Sequence, residues 1–170
     1  MPGSLEGKVA VVTGVSHASQ VGQAVAKDLA AQGAALVICA RTQANVEARA
    51  TELREEGARV HAVAASLTEE PDVLRLIDET LAAYSRIDIL VNLAGGLTLY
   101  KPAVEFSLQD WNRELNNNLL SAFLVSRAAF PHMAARDPSE FQKAIRTEPG
   151  VSGASRTSPS APTPSRRSQS

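Results

Sequence analysis

The sequence predicts an α/β fold organised around a parallel sheet, and two observations lead to this prediction. Short, mainly apolar runs, the first of them unbroken by charge, alternate with stretches in which apolar residues recur every three or four positions. Runs of the first kind are typical of strands buried on both faces, and stretches of the second kind are typical of helices that pack on a sheet. Because parallel strands need long crossover connections, the alternation indicates βαβ units.

Four apolar runs are predicted to form the strands, and they lie at residues 9–12, 34–40, 59–64 and 87–92. Two reactive side chains fall inside these runs. We expect Cys39 in the second run to be an inert buried thiol, because it is flanked by large apolar residues. We expect His61 in the third run to alternate outward and to be a surface residue rather than a ligand.

The predicted helices fill the intervals between these strands. In the first, at residues 21–29, Val21, Val25 and Leu29 share one face, and Gly33 ends the helix. The second is predicted at residues 43–56, with Thr42 as its cap and an apolar face formed by Val46, Ala50 and Leu53. Acidic residues and a proline at 68–71 indicate the start of the third, whose apolar stripe is Val73, Ile77 and Leu81.

A long helix is expected after the fourth strand. The sequence from Ser107 to Asp110 resembles a capping signal, and the helix should run from Asp110 to about Pro131. Its apolar residues keep roughly helical spacing: Trp111, Leu115, Leu119, Ala122 and Phe130. Three asparagines at residues 116–118 interrupt it, and asparagine is a mediocre helix former. At least one of them is therefore expected to have another task, the alternative being an exposed polar face.

Composition and charge exclude several classes of protein. The chain has 170 residues, with 17 lysines and arginines against 18 aspartates and glutamates. This balance predicts neither nucleic acid nor an acidic membrane surface as a partner. The N-terminus lacks the features of a signal peptide, and no apolar run approaches the roughly 20 residues of a membrane span. One cysteine excludes an internal disulfide and predicts no metal cluster, so we expect a cytoplasmic protein.

The loop after the first strand is the first candidate site. Gly14 permits a tight turn out of the strand, and Gly22 permits close approach at the start of the next helix. Strand, glycine-bearing loop and helix together present backbone N–H groups to a phosphate. From this stretch alone, an ordinary βα turn is an equally good interpretation.

The other loops favour a dinucleotide. In a parallel sheet, ligands bind beyond the carboxyl ends of the strands. The polar residues of four loops follow strands and should therefore meet at that edge; they include Gly14, Arg41, Ser66 and the segment from Asn92 to Gly95.

Up to about Arg136 the chain resembles the short-chain dehydrogenase/reductase family. Thr13-Gly14 with Gly22 resembles its cofactor loop, and Asn92-Leu93-Ala94-Gly95 resembles its Asn-Asn-Ala-Gly motif. Asn118 resembles the family's helix asparagine, and Pro131-His132-Met133 the usual end of that helix.

The resemblance implies a Rossmann-like, doubly wound parallel sheet and an NAD(P)-dependent oxidoreductase acting on a carbonyl/alcohol pair. It implies a dinucleotide and a small carbonyl substrate as partners, but it does not identify the substrate. The cofactor-binding positions it implies are Gly14, Ser16, Ser19, Gly22, Arg41, Ser66, Asn92, Ala94 and Gly95. Asn118 is the one catalytic position that it carries over.

Several positions depart from the family pattern. Gln20 stands where a glycine is expected and crowds the pyrophosphate, although Ser16 and Ser19 are available for replacement hydrogen bonds. Leu93 replaces an asparagine, and Ser66 stands in place of an aspartate.

The end of the second strand bears on cofactor choice. Ala40 takes the place of the acidic residue that holds the ribose of NAD, and Arg41 follows it. A guanidinium pairs with a 2′-phosphate, which favours NADP over NAD. The alternative is that Arg41 is a solvated loop residue.

The family's catalytic serine, tyrosine and lysine are not found. The two tyrosines are Tyr84 and Tyr100, and four residues beyond them stand Asp88 and Val104 instead of lysine. Without a positioned acid, we expect the chain to be inactive in hydride transfer.

The character of the chain changes beyond Arg136. We expect a dinucleotide-binding domain at 1–136 and a disordered tail at 137–170, because the tail's serine, proline, arginine and alanine bury little surface. Either truncation with a shifted reading frame or a natural linker explains this composition.

The resulting sheet is incomplete, and an unpartnered fourth strand predicts self-association. Three hypotheses stay open: the cofactor-binding part of an oxidoreductase, a non-catalytic nucleotide-binding or interaction module, and a product that does not fold stably.

Overall fold

The computed structural model of the chain describes residues 3–135, and the predicted tail at 137–170 lies outside the described residues. Four parallel strands form one sheet in the order β3-β2-β1-β4. Their bounds are β1 Val9–Thr13, β2 Ala35–Ala40, β3 Val60–Ala64 and β4 Ile89–Val91. This arrangement confirms the predicted Rossmann-like parallel sheet.

The helices follow the predicted order with one interruption. Their bounds are α1 Val21–Ala31, α2 Gln43–Glu55, α3 Glu70–Tyr84, α4 Leu108–Leu115 and α5 Ser121–Ala134. A 3₁₀ turn at Ala103–Glu105 precedes α4, and a π-helical turn at Asn116–Leu120 joins α4 to α5. Within residues 3–135, no helix is both long enough and apolar enough to cross a bilayer.

The core consists of two apolar layers, one on each face of the sheet. On one face, α1 and α2 cover alternate residues of β1 and β2, which are Ala10, Val12, Leu36 and Ile38. On the other face, α3 and α5 cover Val11, Val37, Cys39 and Val63. Side chains of adjacent strand residues point to opposite faces, so a strand with both faces covered has to be apolar throughout.

The predicted apolar faces hold for some helices and not for others. Val46, Ala50 and Leu53 of α2 are fully buried, as expected. Val21 was expected to share the face of Val25 and Leu29, yet 66% of it is exposed. The buried residues of α1 are instead Gly22, Gln23 and Ala26, so Val21 lies outside the face that packs on the sheet.

Three local expectations need correction. Thr42 takes the N-cap position of α2, but its side chain makes no capping hydrogen bond. The fourth strand covers only Ile89–Val91 instead of 87–92, because its ladder with β1 begins at the pair Ala10–Ile89. The long helix is continuous in path but divided by the π turn at the three asparagines.

The two reactive side chains within the predicted strands, Cys39 and His61, differ in their exposure to solvent. Cys39 is fully buried, as expected, and burial raises the pKa of its thiol to about 12. His61 is partly exposed at the surface edge of β3, with Nε2 3.0 Å from Oε2 of Glu79.

Candidate functional site

The carboxyl ends of β1 and β4 are tied together by Thr13. This side chain is fully buried, and its Oγ1 accepts the N–H groups of Leu93 at 3.0 Å and Ala94 at 3.1 Å. The next residue, Gly14, has φ +78°, and a Cβ there would lie 2.6 Å from the carbonyl oxygen of Leu93. The loop after β1 therefore passes against the loop after β4 with no room for a side chain.

The start of α1 forms the second wall of this site. Gly22 is buried, and a Cβ on it would lie 2.6 Å from the carbonyl oxygen of Gly14. Gln20 precedes the helix without a side-chain capping hydrogen bond; its Oε1 instead accepts from Ser16 Oγ at 3.2 Å. Ser19 is exposed beside it. The first N–H groups of a helix lack intrahelical acceptors, so this end offers donors and a positive partial charge to an anion.

The end of β2 contributes a cation to the same edge. Ala40 is buried at the last position of the strand, and Arg41 follows it on the surface. Arg41 takes part in none of the ion pairs formed among residues 3–135. Its guanidinium is therefore available to an external anion.

Ser66 follows β3 and holds the start of α3. Its N–H donates to Asp72 Oδ2 at 2.7 Å, and its hydroxyl lies 3.2 Å from Thr68 Oγ1. The Ser66 N–H, followed by the Arg75 guanidinium, lowers the pKa of the Asp72 carboxyl. Ser66 therefore has a structural role at this helix start, and its hydroxyl is only half-buried.

Asn118 connects the loop after β4 to the π turn. Its Oδ1 accepts the N–H of Gly96 at 2.8 Å, and its Nδ2 donates to the carbonyl of Gly96 at 3.3 Å. The same Nδ2 donates to the carbonyl of Glu114 at 2.8 Å. A π turn interrupts the regular helical ladder, and here an asparagine amide satisfies one of the affected carbonyls. The expectation that one of the three asparagines has a separate task agrees with this geometry.

Asn92 lies at the end of β4 and has an incomplete set of partners. Its Nδ2 donates to Ser126 Oγ at 2.9 Å, whereas its Oδ1 is buried without a hydrogen-bond partner among the described residues. Next to this loop, Gly95 has φ +155°, and a Cβ there would lie 2.6 Å from Asn118 Oδ1.

Neither tyrosine is positioned as an acid at this edge. Tyr84 is the last residue of α3, at the amino edge of the sheet, and burial raises the pKa of its hydroxyl. Tyr100 is 87% exposed in the loop before α4. Among residues 3–135, no group of three His, Cys, Asp or Glu side chains converges as a metal site.

The structure thus brings the predicted residues of the β1 and β4 loops together, with Asn118 holding the second loop. Two residues of this region were missed. Thr13 carries a visible signal, since it is a polar residue closing a buried apolar run. Gln23 is 1% exposed on α1 and donates to Glu52 Oε2 at 3.2 Å, while its Oε1 has no partner among the described residues.

The family model of the short chain dehydrogenases matches residues 8–140, which is most of the chain. The chain belongs to the short-chain dehydrogenase family. Its match covers the described strands and helices, and the resemblance inferred from the motifs is confirmed.

Curated members of the short-chain dehydrogenase family are similar over the same region. A hydroxynaphthalene reductase-like protein of Metarhizium anisopliae is 34% identical over 133 residues, which is 78% of this chain and 49% of the relative. D-threitol dehydrogenase of Mycolicibacterium smegmatis is 38% identical over 129 residues, covering 76% of this chain and 48% of the relative. The chain therefore spans about half the length of the curated relatives it matches.

Solved structures of short-chain dehydrogenases have the same fold. A short chain dehydrogenase from Mycobacterium smegmatis superposes with a TM-score of 0.73 at 31% identity, over 81% of this chain and 57% of the other. An NAD⁺-bound xylitol dehydrogenase gives a TM-score of 0.73 at 28% identity, over 78% of this chain and 50% of the other.

Proposed function

We propose that this chain is the cofactor-binding part of an NAD(P)-dependent short-chain dehydrogenase, acting on a carbonyl/alcohol pair. The observation that carries the proposal is the meeting of the β1 and β4 loops at the uncapped start of α1. Family membership supports it, as does the NAD⁺ bound to the similar xylitol dehydrogenase.

The residues at this edge fit a dinucleotide. The pyrophosphate would lie at the start of α1, where Gly22 has no side chain and the hydroxyls of Ser16 and Ser19 are within the same loop. Ser66, Asn92, Ala94 and Gly95 would line the adenine and ribose side of the same edge. The buried Oδ1 of Asn92, which lacks a partner among residues 3–135, would accept a hydrogen bond there.

Arg41 is proposed to select NADP over NAD. It is exposed directly after β2, has no ion-pair partner among residues 3–135, and follows Ala40 where a carboxylate would repel a phosphate. We expect NADPH to bind more tightly than NADH, and Arg41→Ala to reduce the difference by about 1–3 kcal/mol, the range for a hydrogen bond to a charged group.

Calorimetric titration of the purified chain with NADPH and NADH tests the assignment. Arg113→Ala is the matched control, because Arg113 is also a surface arginine but lies on α4. The expected result is that Arg41→Ala weakens NADPH binding alone and that Arg113→Ala changes neither affinity. Equal affinities for both cofactors before and after Arg41→Ala would contradict the proposed selectivity.

We further propose that the chain as written is inactive. The dinucleotide supplies a hydride when it is bound, but a carbonyl also needs a positioned proton donor, typically worth about 10²–10⁴-fold in rate. Within the described residues, Tyr84 lies at the opposite edge and Tyr100 is in solvent. The amide of Asn118 holds Gly96 and Glu114, so it acts as a positioning residue. NADPH oxidation at ordinary enzyme rates with a panel of ketones and aldehydes would refute this proposal.

A shifted reading frame is our proposal for the composition beyond Met133. Serine, arginine, proline and alanine dominate there, as is common when a GC-rich gene is translated out of frame. We expect one of the other two frames of the encoding DNA to give an apolar strand ending in serine, and then tyrosine with lysine four residues later. If neither frame does so, a natural linker is the better explanation.

A non-catalytic interaction module is the second candidate, and the surface of α4 and α5 favours it. Large apolar side chains are exposed along these helices: Trp111 at 56%, Leu119 at 63%, Phe123 at 54% and Phe130 at 47%. Apolar side chains grouped in this way mark association surfaces. We propose that this surface, together with the edge strand β4, leads to self-association in the cytoplasm. Light scattering should show that Leu119→Glu shifts the chain toward monomer, whereas an unchanged mass would exclude this surface.

A further inference from the structure

A surface cavity lies at the amino edge of the sheet. It is open to solvent, has a volume of about 230 Å³, and is lined by residues that precede the strands and by the end of α3. Gly7 and Lys8 lead into β1, Arg59 leads into β3, Tyr84 ends α3, and Ser85 and Arg86 follow it. β1 separates this cavity from Thr13 at the carboxyl edge by about 13 Å, at roughly 3.3 Å per residue. The cavity is therefore distinct from the dinucleotide edge.

Positive charge dominates the lining of this cavity. Three cations, Lys8, Arg59 and Arg86, line the cavity, and the carboxylate of Asp88 pairs with Lys8 and Arg86. Asp88 is already engaged, since Oδ2 accepts the N–H of Val9 at 2.9 Å and Arg86 Nε at 2.6 Å. The cavity therefore keeps an excess of about two positive charges.

Two of these cations are available to a ligand. Lys8 Nζ lies 4.0 Å from Asp88 Oδ1, at the limit of an ion pair, and its side chain is 49% exposed. Arg59 forms no ion pair among residues 3–135, and its guanidinium carbon lies 5.6 Å from the centre of the Tyr84 ring. An arginine held over a ring keeps its planar N–H groups free for two parallel hydrogen bonds to an anion.

Charge and size together indicate the class of ligand. A phosphate monoester carries about −1.5 to −2 charges at neutral pH, which matches the excess in the cavity. A cavity of roughly 150 Å³ holds a benzene ring, so the observed volume has room for a phosphate with an organic group attached. The partly buried Tyr84 ring offers an apolar wall to such a group.

We propose that this cavity binds a phosphate monoester, with Arg59 and Lys8 contacting the phosphate and Tyr84 lining the space for its organic group. Ser85, at the C-cap of α3, has φ 59° without being glycine. Backbone strain of this kind is found at ligand sites, and at Ser85 it places an exposed hydroxyl on the rim of the cavity. The carbonyl groups at the C-terminus of α3 carry a partial negative charge, which disfavours an anion. The cations of the cavity therefore have to supply the binding energy.

Titration of the isotope-labelled full chain with phenyl phosphate, inorganic phosphate and benzoate, at constant ionic strength, tests the proposal. We expect saturable shifts of the Gly7, Lys8 and Ser85 amides with phenyl phosphate, at least fivefold weaker binding of inorganic phosphate, and still weaker binding of benzoate. Equal affinity for inorganic and phenyl phosphate would overturn the monoester assignment. Shifts confined to Gly14 and Gly22 would place the anion at the dinucleotide edge and overturn the site.

Charge-matched variants separate this cavity from general attraction to cations. Arg59→Gln removes a cation that lies over the Tyr84 ring, and Arg113→Gln makes the same charge change on α4, where Asp110 keeps its ion pair with Lys101. We expect Arg59→Gln to weaken phenyl phosphate binding about tenfold and Arg113→Gln to leave it unchanged. Dye-monitored thermal unfolding with the same ligands is the second readout, and stabilisation by phenyl phosphate should be lost only in Arg59→Gln. Equal effects of the two variants, or no stabilisation of the parent chain by phenyl phosphate, would overturn the proposed site.

Discussion

Replacing Gly14 by alanine tests the contact between the β1 and β4 loops. A Cβ at this position would lie 2.6 Å from the carbonyl oxygen of Leu93 and 2.7 Å from the N–H nitrogen of Ala94. Both atoms belong to the backbone, so neither can rotate away as a flexible side chain would. The residue also has φ +78°, which disfavours any residue with a side chain.

The chain contains a matched control for the conformational part of this cost. Gly57 at the end of α2 has φ +89°, and a Cβ there would meet nothing within 4 Å. Gly57→Ala should therefore cost only the left-handed conformation, about 1–2 kcal/mol. Gly14→Ala carries the same cost plus overpacking, typically about 1–3 kcal/mol. We expect a difference of about 2 kcal/mol in the free energy of unfolding between the two variants.

Urea unfolding followed by circular dichroism measures both variants against the parent chain, with the midpoint shift converted through a common slope. A Gly14→Ala chain that does not fold sets a lower limit on the cost, with Gly57→Ala as the reference. Equal stability of the two variants, within about 0.5 kcal/mol, would refute the close approach of the loops.

Three further predictions follow from individual contacts. Thr13→Val keeps the shape of the side chain but leaves two loop N–H groups without their acceptor, so it should lower the free energy of unfolding by about 1–3 kcal/mol. Thr13→Ser keeps the hydroxyl and should lower it less. The reverse order of the two variants in urea unfolding would contradict this. Ser107→Ala removes the cap of α4 and should lower its hydrogen-exchange protection by about 1 kcal/mol, whereas unchanged protection would show that the cap is dispensable. The pKa of Asp72 is lowered by the Ser66 N–H and then by Arg75, so its contribution to stability is present above the ordinary value of about 3.9 and is lost as pH falls through the lowered pKa. Melting temperatures from pH 5 to pH 2 should therefore fall less steeply in Asp72→Asn than in the parent, and parallel curves would argue against this linkage.

The sequence by itself determined which segments form strands, which form helices, and the order in which they alternate along the chain. Burial on both faces requires apolar strands, and the sheet-facing side of a helix requires a repeat of three to four residues, so both appear directly in the residue pattern. The same reasoning located the carboxyl edge, because every predicted strand is followed by its polar loop. In α2, the predicted apolar residues Val46, Ala50 and Leu53 are buried because that face of the helix packs on β2 and β3.

Tertiary structure decided which apolar faces are covered. Val21 fits the helical repeat of α1 but is exposed, since the face that packs is formed by Gly22, Gln23 and Ala26. Along α4 and α5, the predicted stripe with Trp111 and Leu119 is largely exposed, whereas Leu124 and Val125 face the core. A repeat shows that residues share a face of the helix, but not which neighbour that face meets.

Tertiary structure also decided the roles of the polar residues at the candidate site. Asn118 was identified by its motif, yet its hydrogen bonds to Gly96 and Glu114 depend on a π turn that no local propensity predicts. Thr13 joins two loops about 80 residues apart in sequence, and the sequence shows only a polar residue at a strand end. Such contacts depend on the register between β1 and β4, which is set by packing across the whole sheet and not by the residues beside them.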